Sequence, residues 1–166
     1  MNKLKAEVIK YSKKLNINNL SALRSGNISI RSEEKGVDGF YITPSGMKYS
    51  TLKNKDIMFV SLKGVFDKKK GKPSSEWRFH QDIYVNKKEA KAIVHAHSTC
   101  ATAVSSHQKN IPAFHYMVAV AGGEDLKCTK YATFGTKQLS RNILNALKNR
   151  TACLIANHGQ VAFGDN

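Results

Sequence analysis

The stretch AIVHAH, residues 92–97, joins a β-branched apolar run to two histidines that are separated by one residue. The apolar run predicts a strand, and residues i and i+2 of a strand project from the same face of a sheet. His95 and His97 are therefore expected to present two imidazoles side by side. A third histidine, His158, lies between two further predicted strands near the end of the chain.

Three neutral imidazoles form a typical catalytic metal site. They leave a bound divalent ion its full charge and at least one open position, whereas structural zinc sites are closed by four protein ligands. The sequence thus predicts that His95, His97 and His158 hold zinc or a related ion. The alternative is that these histidines are half-buried and have no ligand role.

The formal net charge of the chain is +15. Lysine and arginine are scattered along most segments, and only residues 68–70 form a dense basic run. No helix-turn-helix, RNA-binding or zinc-finger pattern accompanies the charge, so we expect no nucleic-acid partner. A lysine-rich composition explains the charge, and attraction of an anionic substrate is the other possibility.

The 166 residues fit one domain, spanning residues 1–166, that is long enough to bury a substantial core. Three cysteines without CxxC spacing indicate free thiols in a reducing compartment. The sequence shows no secretory signal and no apolar run of bilayer length. We therefore expect a cytoplasmic protein without a membrane partner.

Hydrophobic periodicity predicts helices and strands in alternation. Helices are expected over 4–15, after Ser74 or Ser75, around 101–105 and after Thr136, whose side chain caps the last one. The predicted strands cover residues 28–30, 39–42, 56–62, 92–97, 111–117, 152–156 and 161–163, and residues 64–72 are expected to close a hairpin. The result is a single α/β domain with a mixed sheet. Because the chain stops directly after a strand, we expect that helices covering the sheet in the native protein are missing.

Three short turns are rich in small hydrogen-bond donors: residues 25–27 (SGN), 43–46 (TPSG) and 74–75 (SS). Such turns, and helix N-termini in particular, favour phosphate because unpaired N–H groups and the helix dipole point the same way. Each turn alone is most often only a turn. Glu76 follows the third, where it can stabilise the helix start or, beside a metal, transfer a proton.

Several motifs together resemble the class II aldolase/adducin family, in register from about residue 4 to residue 164. The chain is similar to the aldolases of that family in particular. The matching segments are Gly26-Asn27, 43–46 (TPSG), 73–80 (PSSEWRFH), 95–97 (HAH), 115–117 (HYM) and 131–136 (YATFGT).

The resemblance implies a fold, a cofactor and a set of roles. The fold is a three-layer α/β/α domain with a largely antiparallel central sheet, here without the family's C-terminal helices. One Zn²⁺ per subunit is held by the histidines and by Glu76, which is also the catalytic acid/base. Tyr116, from a neighbouring subunit of a four-fold tetramer, protonates the aldehyde oxygen. The implied phosphate-binding residues are Gly26, Asn27, Ser45, Gly46, Ser74 and Ser75.

The implied reaction is metal-dependent cleavage of a phosphorylated ketose to dihydroxyacetone phosphate and a short aldehyde. Two rivals remain. A 4-epimerase of ribulose 5-phosphate uses the same cleavage and rejoins the aldehyde, but such relatives tend to carry Asp where this chain has Glu76. An adducin-like interaction module shares the fold without the metal-binding histidines. From the residues alone, Tyr116 is expected to pack in the core, because the run 113–118 is apolar and aromatic.

Overall fold

A six-stranded antiparallel sheet organises the chain in the computed structural model, which describes residues 2–165; Met1 and Asn166, the ends of the predicted domain, lie outside it. Within the described residues no helix follows the last strand, as expected. The strands are β1 (Asn27–Glu34), β2 (Val37–Ile42), β3 (Met58–Ser61), β4 (Ala92–Ala96), β5 (Ala152–Ile155) and β6 (Gly159–Gly164). The helices are α1 (Lys3–Ile17), α2 (Trp77–Asn86), α3 (Thr99–Ser106) and α4 (Lys137–Ala146).

The strand order is β3-β2-β1-β4-β6-β5, and each neighbouring pair runs antiparallel. The predicted sheet, mixed but largely antiparallel, is thus antiparallel in all its strand pairs. A parallel element remains only as one isolated bridge between Cys128 and Leu154. The two central strands are β1 and β4, and the side chains of His95 and Ala96 at the end of β4 are buried.

Helices cover both faces of the sheet, which confirms the three-layer architecture. One face carries Ile28 and Tyr41 against Val8 and Leu15 of α1. The other face packs against α2 and α4 in a larger cluster that includes Phe40, Phe79, Ile83, Ile93, Leu139 and Ile143. Alternation along each strand explains this division, because successive side chains point to opposite faces.

Helix α1 begins at Asn2, whose side chain accepts hydrogen bonds from the N–H groups of Leu4 and Lys5 at 3.0 and 3.3 Å. Such a cap satisfies donors that the first helical turn leaves unpaired. The buried stripe is Val8, Ser12 and Leu15. Leu4 and Tyr11, which helical periodicity places on the same side of the helix, are exposed.

Two predicted β-elements are wrong. Residues 111–117 form no strand: Ile111 makes a single bridge to Leu126, and Tyr116–Ala121 is a 3₁₀ helix. Residues 64–72 make no return strand: Ser61 N–H at the end of β3 donates to Val65 O at 2.9 Å in a turn, and Pro73, just after the segment, bridges Pro44. Both segments contain β-forming residues, but neither pairs along the free edge of β3 or β5, the two outer strands of the sheet.

None of the helices within residues 2–165 is both long and apolar enough to cross a membrane.

Candidate metal centre

Four potential metal ligands converge where α2 begins and β4 ends. Each of Glu76, His95, His97 and His158 offers one ligand atom, and these atoms lie within 4.8 Å of one another. Glu76 and His95 are buried, and the other two histidines are half-buried. The sequence-predicted ligands are therefore brought together as a single cluster.

Local structure explains how separate segments reach this point. Glu76 is the N-cap residue of α2, His95 belongs to β4, and His97 follows directly after that strand. His158 sits in the tight turn between β5 and β6, in which Asn157 adopts a φ of 56°. Asparagine tolerates this left-handed conformation better than most residues do.

Two glycines permit the close approach of these segments. A Cβ atom on Gly26 would lie 2.6 Å from the carbonyl oxygen of His95, and Gly26 also has a φ of +78°. A Cβ atom on Gly159 would lie 2.4 Å from the carbonyl oxygen of Ala96. Any larger residue would push the histidine-bearing strand away from its neighbours.

The distances within the cluster fit one shared cation. The Nε2 atoms of His95 and His97 are 2.8 Å apart, and His95 Nε2 lies 3.1 Å from Glu76 Oε2. His158 Nε2 lies 3.5 Å from Glu76 Oε1. Ligands 2.0–2.1 Å from a tetrahedral zinc ion are about 3.3 Å from one another. These three separations lie on either side of that value, and all four ligand atoms lie within 4.8 Å of one another.

The carboxylate of Glu76 gives a second indication of a cation site. Among the described residues, its Oε1 atom is buried and accepts no hydrogen bond. A buried carboxylate oxygen without a partner is costly, and a cation placed among the three imidazoles would supply one. The donor set of three imidazoles and a carboxylate therefore fits a divalent metal ion such as zinc.

The pKa shifts of Glu76, His97 and His158 favour the protonation states that metal binding needs. Burial raises the pKa of Glu76, but the charge and hydrogen bonding of His95, the charge of His158 and the Asn27 hydrogen bond outweigh it and lower the pKa to about 2. Burial, followed by the charge of His95, lowers the pKa of His97 to about 4 and also lowers that of His158. A carboxylate and neutral imidazoles are the forms that bind metals.

Hydrogen bonds behind the cluster orient its members. His95 Nδ1 donates to the carbonyl oxygen of Gln160 at 2.8 Å, which leaves Nε2 free to face the other ligands. Glu76 Oε2 accepts a hydrogen bond of 3.0 Å from Asn27 Nδ2. Register explains the second contact, because Asn27 of β1 pairs directly with His95 of β4.

The predicted phosphate-binding turns lie beside this cluster. The bridge between Pro44 and Pro73 brings residues 43–46 next to residues 73–75, and Ser74 N–H donates to Thr43 O at 3.0 Å. Ser74 Oγ in turn accepts from Glu76 N–H at 3.3 Å.

The hydrogen-bond donors of the phosphate-binding turns differ in whether they are free to bind a phosphate. The N–H groups of Ser45 and Ser74 are engaged with backbone carbonyls. Ser45, Gly46 and Ser75 are exposed. Among the hydrogen bonds of residues 2–165, none engages the Ser45 or Ser75 hydroxyl or the Gly46 or Ser75 N–H. Asn27 differs from them, because its side chain is buried and its amide already contacts Glu76 and His80.

Tyr116 is not in the core. Its side chain is 79% exposed, so the core-packing prediction is wrong. It begins the 3₁₀ helix that ends at Ala121, whose carbonyl accepts from Thr151 N–H immediately before β5. His158 follows the other end of β5, so Tyr116 and the metal ligands of one chain lie at opposite ends of that strand.

Sequence reasoning missed a buried polar chain behind Glu76, formed by Asn27, His80, Ser29 and Tyr84. In the sequence, His80 is part of the matched segment 73–80 and was assigned no role. The signal available was a histidine on an otherwise apolar helix face, four residues after Glu76. Its partners become visible only when β1 is placed beside α2.

Comparison with known proteins agrees with this geometry. The sequence profile of the class II aldolase and adducin N-terminal domain matches residues 6–166. A 5-methylthioribulose-1-phosphate/5-deoxyribulose-1-phosphate aldolase of Rhodospirillum rubrum is 46% identical over 140 residues, which are 84% of this chain and 61% of that protein. The L-fuculose phosphate aldolase of Escherichia coli is 42% identical over 161 residues, which are 97% of this chain and 73% of that protein.

Solved structures show the same relationship. An L-fuculose 1-phosphate aldolase superimposes with a TM-score of 0.92 at 38% identity, covering 100% of this chain and 77% of the other. The enzyme of that name from Thermus thermophilus gives a TM-score of 0.84 at 27% identity, covering 100% and 81%. The chain thus spans between three fifths and four fifths of the relatives compared here. With the family profile matched over nearly all its length, the chain belongs to the class II aldolase/adducin family, and its similarity to L-fuculose phosphate aldolases agrees with its motifs.

Proposed function

We propose that this chain carries the active site of a metal-dependent aldehyde-lyase that cleaves a ketose 1-phosphate to dihydroxyacetone phosphate and a short aldehyde. The observation that carries the proposal is the convergence of Glu76 with three histidines around one buried, unpartnered carboxylate oxygen. The relatives compared above are aldolases by name, which supports the same reaction class.

In this proposal His95, His97, His158 and Glu76 hold the metal, and zinc is the ion that the donor set favours. When bound, the ion supplies Lewis-acid stabilisation of the charge that develops as the carbon–carbon bond breaks. The chain itself holds two of these ligands in place: the Gln160 carbonyl orients His95, and the Asn27 amide orients Glu76.

Glu76 is the proposed acid/base. Its carboxylate sits at the N-terminus of α2 among the imidazoles, so it faces any substrate carbon that binds in the cluster. It moves the proton on or off the dihydroxyacetone phosphate carbon. A lysine Schiff base is not required for this chemistry, so the many lysines have no catalytic role in the proposal.

The substrate phosphate is proposed to bind the adjacent turns, which contain Gly26, Asn27, Ser45, Gly46, Ser74 and Ser75. The exposed hydroxyls of Ser45 and Ser75, together with the Gly46 and Ser75 N–H groups, are the donors best placed for it. The side chains of Asn27 and Ser74 are buried, so their part is to support the turns and Glu76.

The sugar itself is proposed to resemble L-fuculose 1-phosphate. Related proteins are named for L-fuculose phosphate, for 5-methylthioribulose 1-phosphate and for 5-deoxyribulose 1-phosphate. These substrates share a phosphorylated ketose end and differ in the aldehyde end. A pocket usually separates such ends by only about 1–3 kcal/mol, so a panel of ketose 1-phosphates is the appropriate assay.

We also propose that the protein assembles as a homotetramer. Tyr116 is exposed and lies at the opposite end of β5 from His158 of its own chain, so a neighbouring subunit is the site that it can serve. Around it, Phe114, Met117 and Val120 are also exposed, which suits an interface better than a solvated surface. Tyr116 would donate a proton to the aldehyde oxygen in that neighbour.

The rival functions have less support. A 4-epimerase would be expected to carry Asp at position 76, where this chain has Glu, and to lack the His-Tyr-Met run at 115–117. An adducin-like module without catalysis would not need the histidine cluster that the chain keeps. A cytoplasmic location is proposed because Cys100, Cys128 and Cys153 are all free thiols.

The experiment that tests the function measures metal content and aldol cleavage on the same samples. Purified protein should contain about one metal ion per chain and should release dihydroxyacetone phosphate from at least one ketose 1-phosphate. His95→Ala should lose both. His107→Ala is the matched control, because His107 is exposed at the end of α3, and it should keep both. Equal metal content and activity in His95→Ala and the parent would overturn the proposal.

A further inference from the structure

A chain of hydrogen bonds runs inward from Glu76 to the centre of the sheet. Asn27 Nδ2 contacts Glu76 Oε2 at 3.0 Å, and Asn27 Oδ1 contacts His80 Nε2 at 2.5 Å. His80 Nδ1 contacts Ser29 Oγ at 2.7 Å, and Ser29 Oγ contacts the Tyr84 hydroxyl at 2.8 Å. The four side chains behind Glu76 are at most 2% exposed, so water does not compete for these bonds.

The direction of every bond follows from the first one. An ionised carboxylate can only accept, so the Asn27 NH₂ group must face Glu76 and its carbonyl oxygen must face His80. That oxygen needs a donor, which makes His80 the Nε2–H tautomer. Its Nδ1 then accepts from the Ser29 hydroxyl, and Ser29 Oγ accepts from Tyr84.

The surroundings of His80 fix both the orientation and the protonation state of its ring. Its ring stacks on Phe79 at a centroid distance of 4.6 Å and on Phe40 at 6.5 Å. Burial, followed by the charge of His95, lowers the pKa of His80 to about 3, so it stays neutral at physiological pH. A neutral ring with one N–H and one lone pair is what the chain of bonds requires.

We infer that His80 is a positioning residue, which fixes the Asn27 amide and through it the orientation of the Glu76 carboxylate. With Oε2 held by Asn27, Oε1 remains turned toward His158 and the metal centre. This rests on the proposed role of Glu76. It also assigns the Asn27 side chain to the carboxylate and not to the substrate phosphate.

Two variants of His80 separate positioning from packing. Gln places an amide N–H near the position of Nε2 and can still donate to Asn27, whereas Phe keeps the ring and removes both nitrogens. In His80→Phe, proton exchange at the dihydroxyacetone phosphate carbon should fall about 10–100-fold with KM for the ketose phosphate unchanged, the range seen when groups behind metal ligands are removed. His80→Gln should recover most of that loss.

A second measurement needs neither activity nor metal. Long-range ¹H–¹⁵N spectra of the metal-free parent should show one buried histidine as the neutral Nε2–H tautomer at pH 7, and the signal should be missing in His80→Gln. An Nδ1–H tautomer or an imidazolium at His80 would overturn the inference, even if His80→Phe failed to fold.

The kinetic outcomes are equally decisive. Parental exchange rates in a folded His80→Phe would overturn the inference, and so would a loss confined to KM, which would assign Asn27 to the phosphate. Failure of the proposed function is distinguishable, because it would appear as parental exchange in Glu76→Gln while the His80 tautomer stayed as inferred.

Discussion

The two ends of strand β5 differ in how far their side chains contact other side chains of the same chain. At the end that leads to His158, four ligand groups from α2, β4 and the following turn meet within 4.8 Å, and the groups behind them are hydrogen-bonded. At the other end, the segment 111–121 leaves Phe114, Tyr116 and Val120 between 69% and 79% exposed. All four candidate ligands of the first region come from one chain, so we call it the complete region, whereas the second presents exposed apolar and aromatic side chains.

This contrast separates two kinds of functional residue. Residues that must act at fixed distances are placed by strand register and by caps, which a single fold supplies. Residues that act on another molecule must remain on the surface until that molecule arrives. The four candidate ligands are placed in the first way, and we propose that Tyr116 belongs to the second kind.

Replacing the cluster carboxylate should produce the largest effect on the complete region. Glu76→Gln keeps the size of the side chain and removes the base, so proton exchange at the dihydroxyacetone phosphate carbon should fall by about 10²–10⁴-fold. Exchange of solvent deuterium, followed by NMR, measures the rate. Glu89→Gln, an exposed glutamate beyond α2, is the matched control and should exchange at the parental rate. A parental rate in Glu76→Gln would assign the proton transfer to another group.

Much of the complete region could be predicted from the sequence. The period of two in a strand placed His95 and His97 together, and the turn after a predicted strand supplied His158. The role of His80 could not be predicted in this way, because its partners Ser29 and Asn27 come from β1, and their proximity depends on how β1 lies against α2.

The other region shows where sequence patterns fail. Residues 111–117 have the apolar and aromatic composition of a strand, yet strand propensity reflects packing against neighbours more than an intrinsic backbone preference. Here Ile111 makes one bridge to Leu126, and the chain then forms a 3₁₀ helix over Tyr116–Ala121. The apolar character that suggested core packing of Tyr116 is equally consistent with an interface.

A smaller effect is expected at the phosphate-binding turns beside the cluster. Ser75→Ala should raise KM for a ketose 1-phosphate by about tenfold or more, since a hydrogen bond to a charged group contributes roughly 1.5–3 kcal/mol. Its kcat should change little, because the hydroxyl holds the substrate and takes no part in proton transfer. Steady-state kinetics on the preferred sugar provide both values.

Ser50→Ala is the control for that change, since Ser50 is also an exposed serine and lies outside the three turns. It should have the parental KM. If Ser75→Ala does as well, the substrate phosphate binds elsewhere.

If Tyr116 of one subunit acts at the histidine cluster of its neighbour, mixing two poorly active variants should restore part of the activity. His95→Ala chains lack the metal site, and Tyr116→Phe chains lack the proposed proton donor, so each should be poorly active alone. In a randomly mixed cyclic tetramer, a site needs an intact cluster from one chain and Tyr116 from the other, which restores about a quarter of the parental activity.

Subunit exchange must be shown independently, for example by mixed-mass oligomers in native mass spectrometry. Recovery should then follow the appearance of mixed oligomers. Exchange without recovery would mean that Tyr116 acts within its own chain or has no part in the reaction.

The smallest effect concerns stability and the buried histidines of the complete region. His80 and His97 stay neutral in the folded protein because their pKa values are lowered to about 3 and about 4, whereas a histidine of the unfolded chain has its ordinary pKa near 6.5. Between those values the unfolded chain binds more protons than the folded one. The free energy of unfolding therefore decreases as the pH falls from about 6.5 toward 4.

For the fully buried His80 this loss approaches about 1.4 kcal/mol per pH unit, which corresponds to a few degrees of Tm in a protein of this size. Thermal melts of the metal-free parent between pH 7 and pH 4.5 should show that slope. His80→Gln removes the fully buried one of these titrating groups and should melt with a shallower dependence on pH, whatever its Tm at pH 7. An identical slope in the two proteins would mean that His80 takes up a proton in the folded state, which the Nε2–H bond to Asn27 and the lone pair facing Ser29 do not permit.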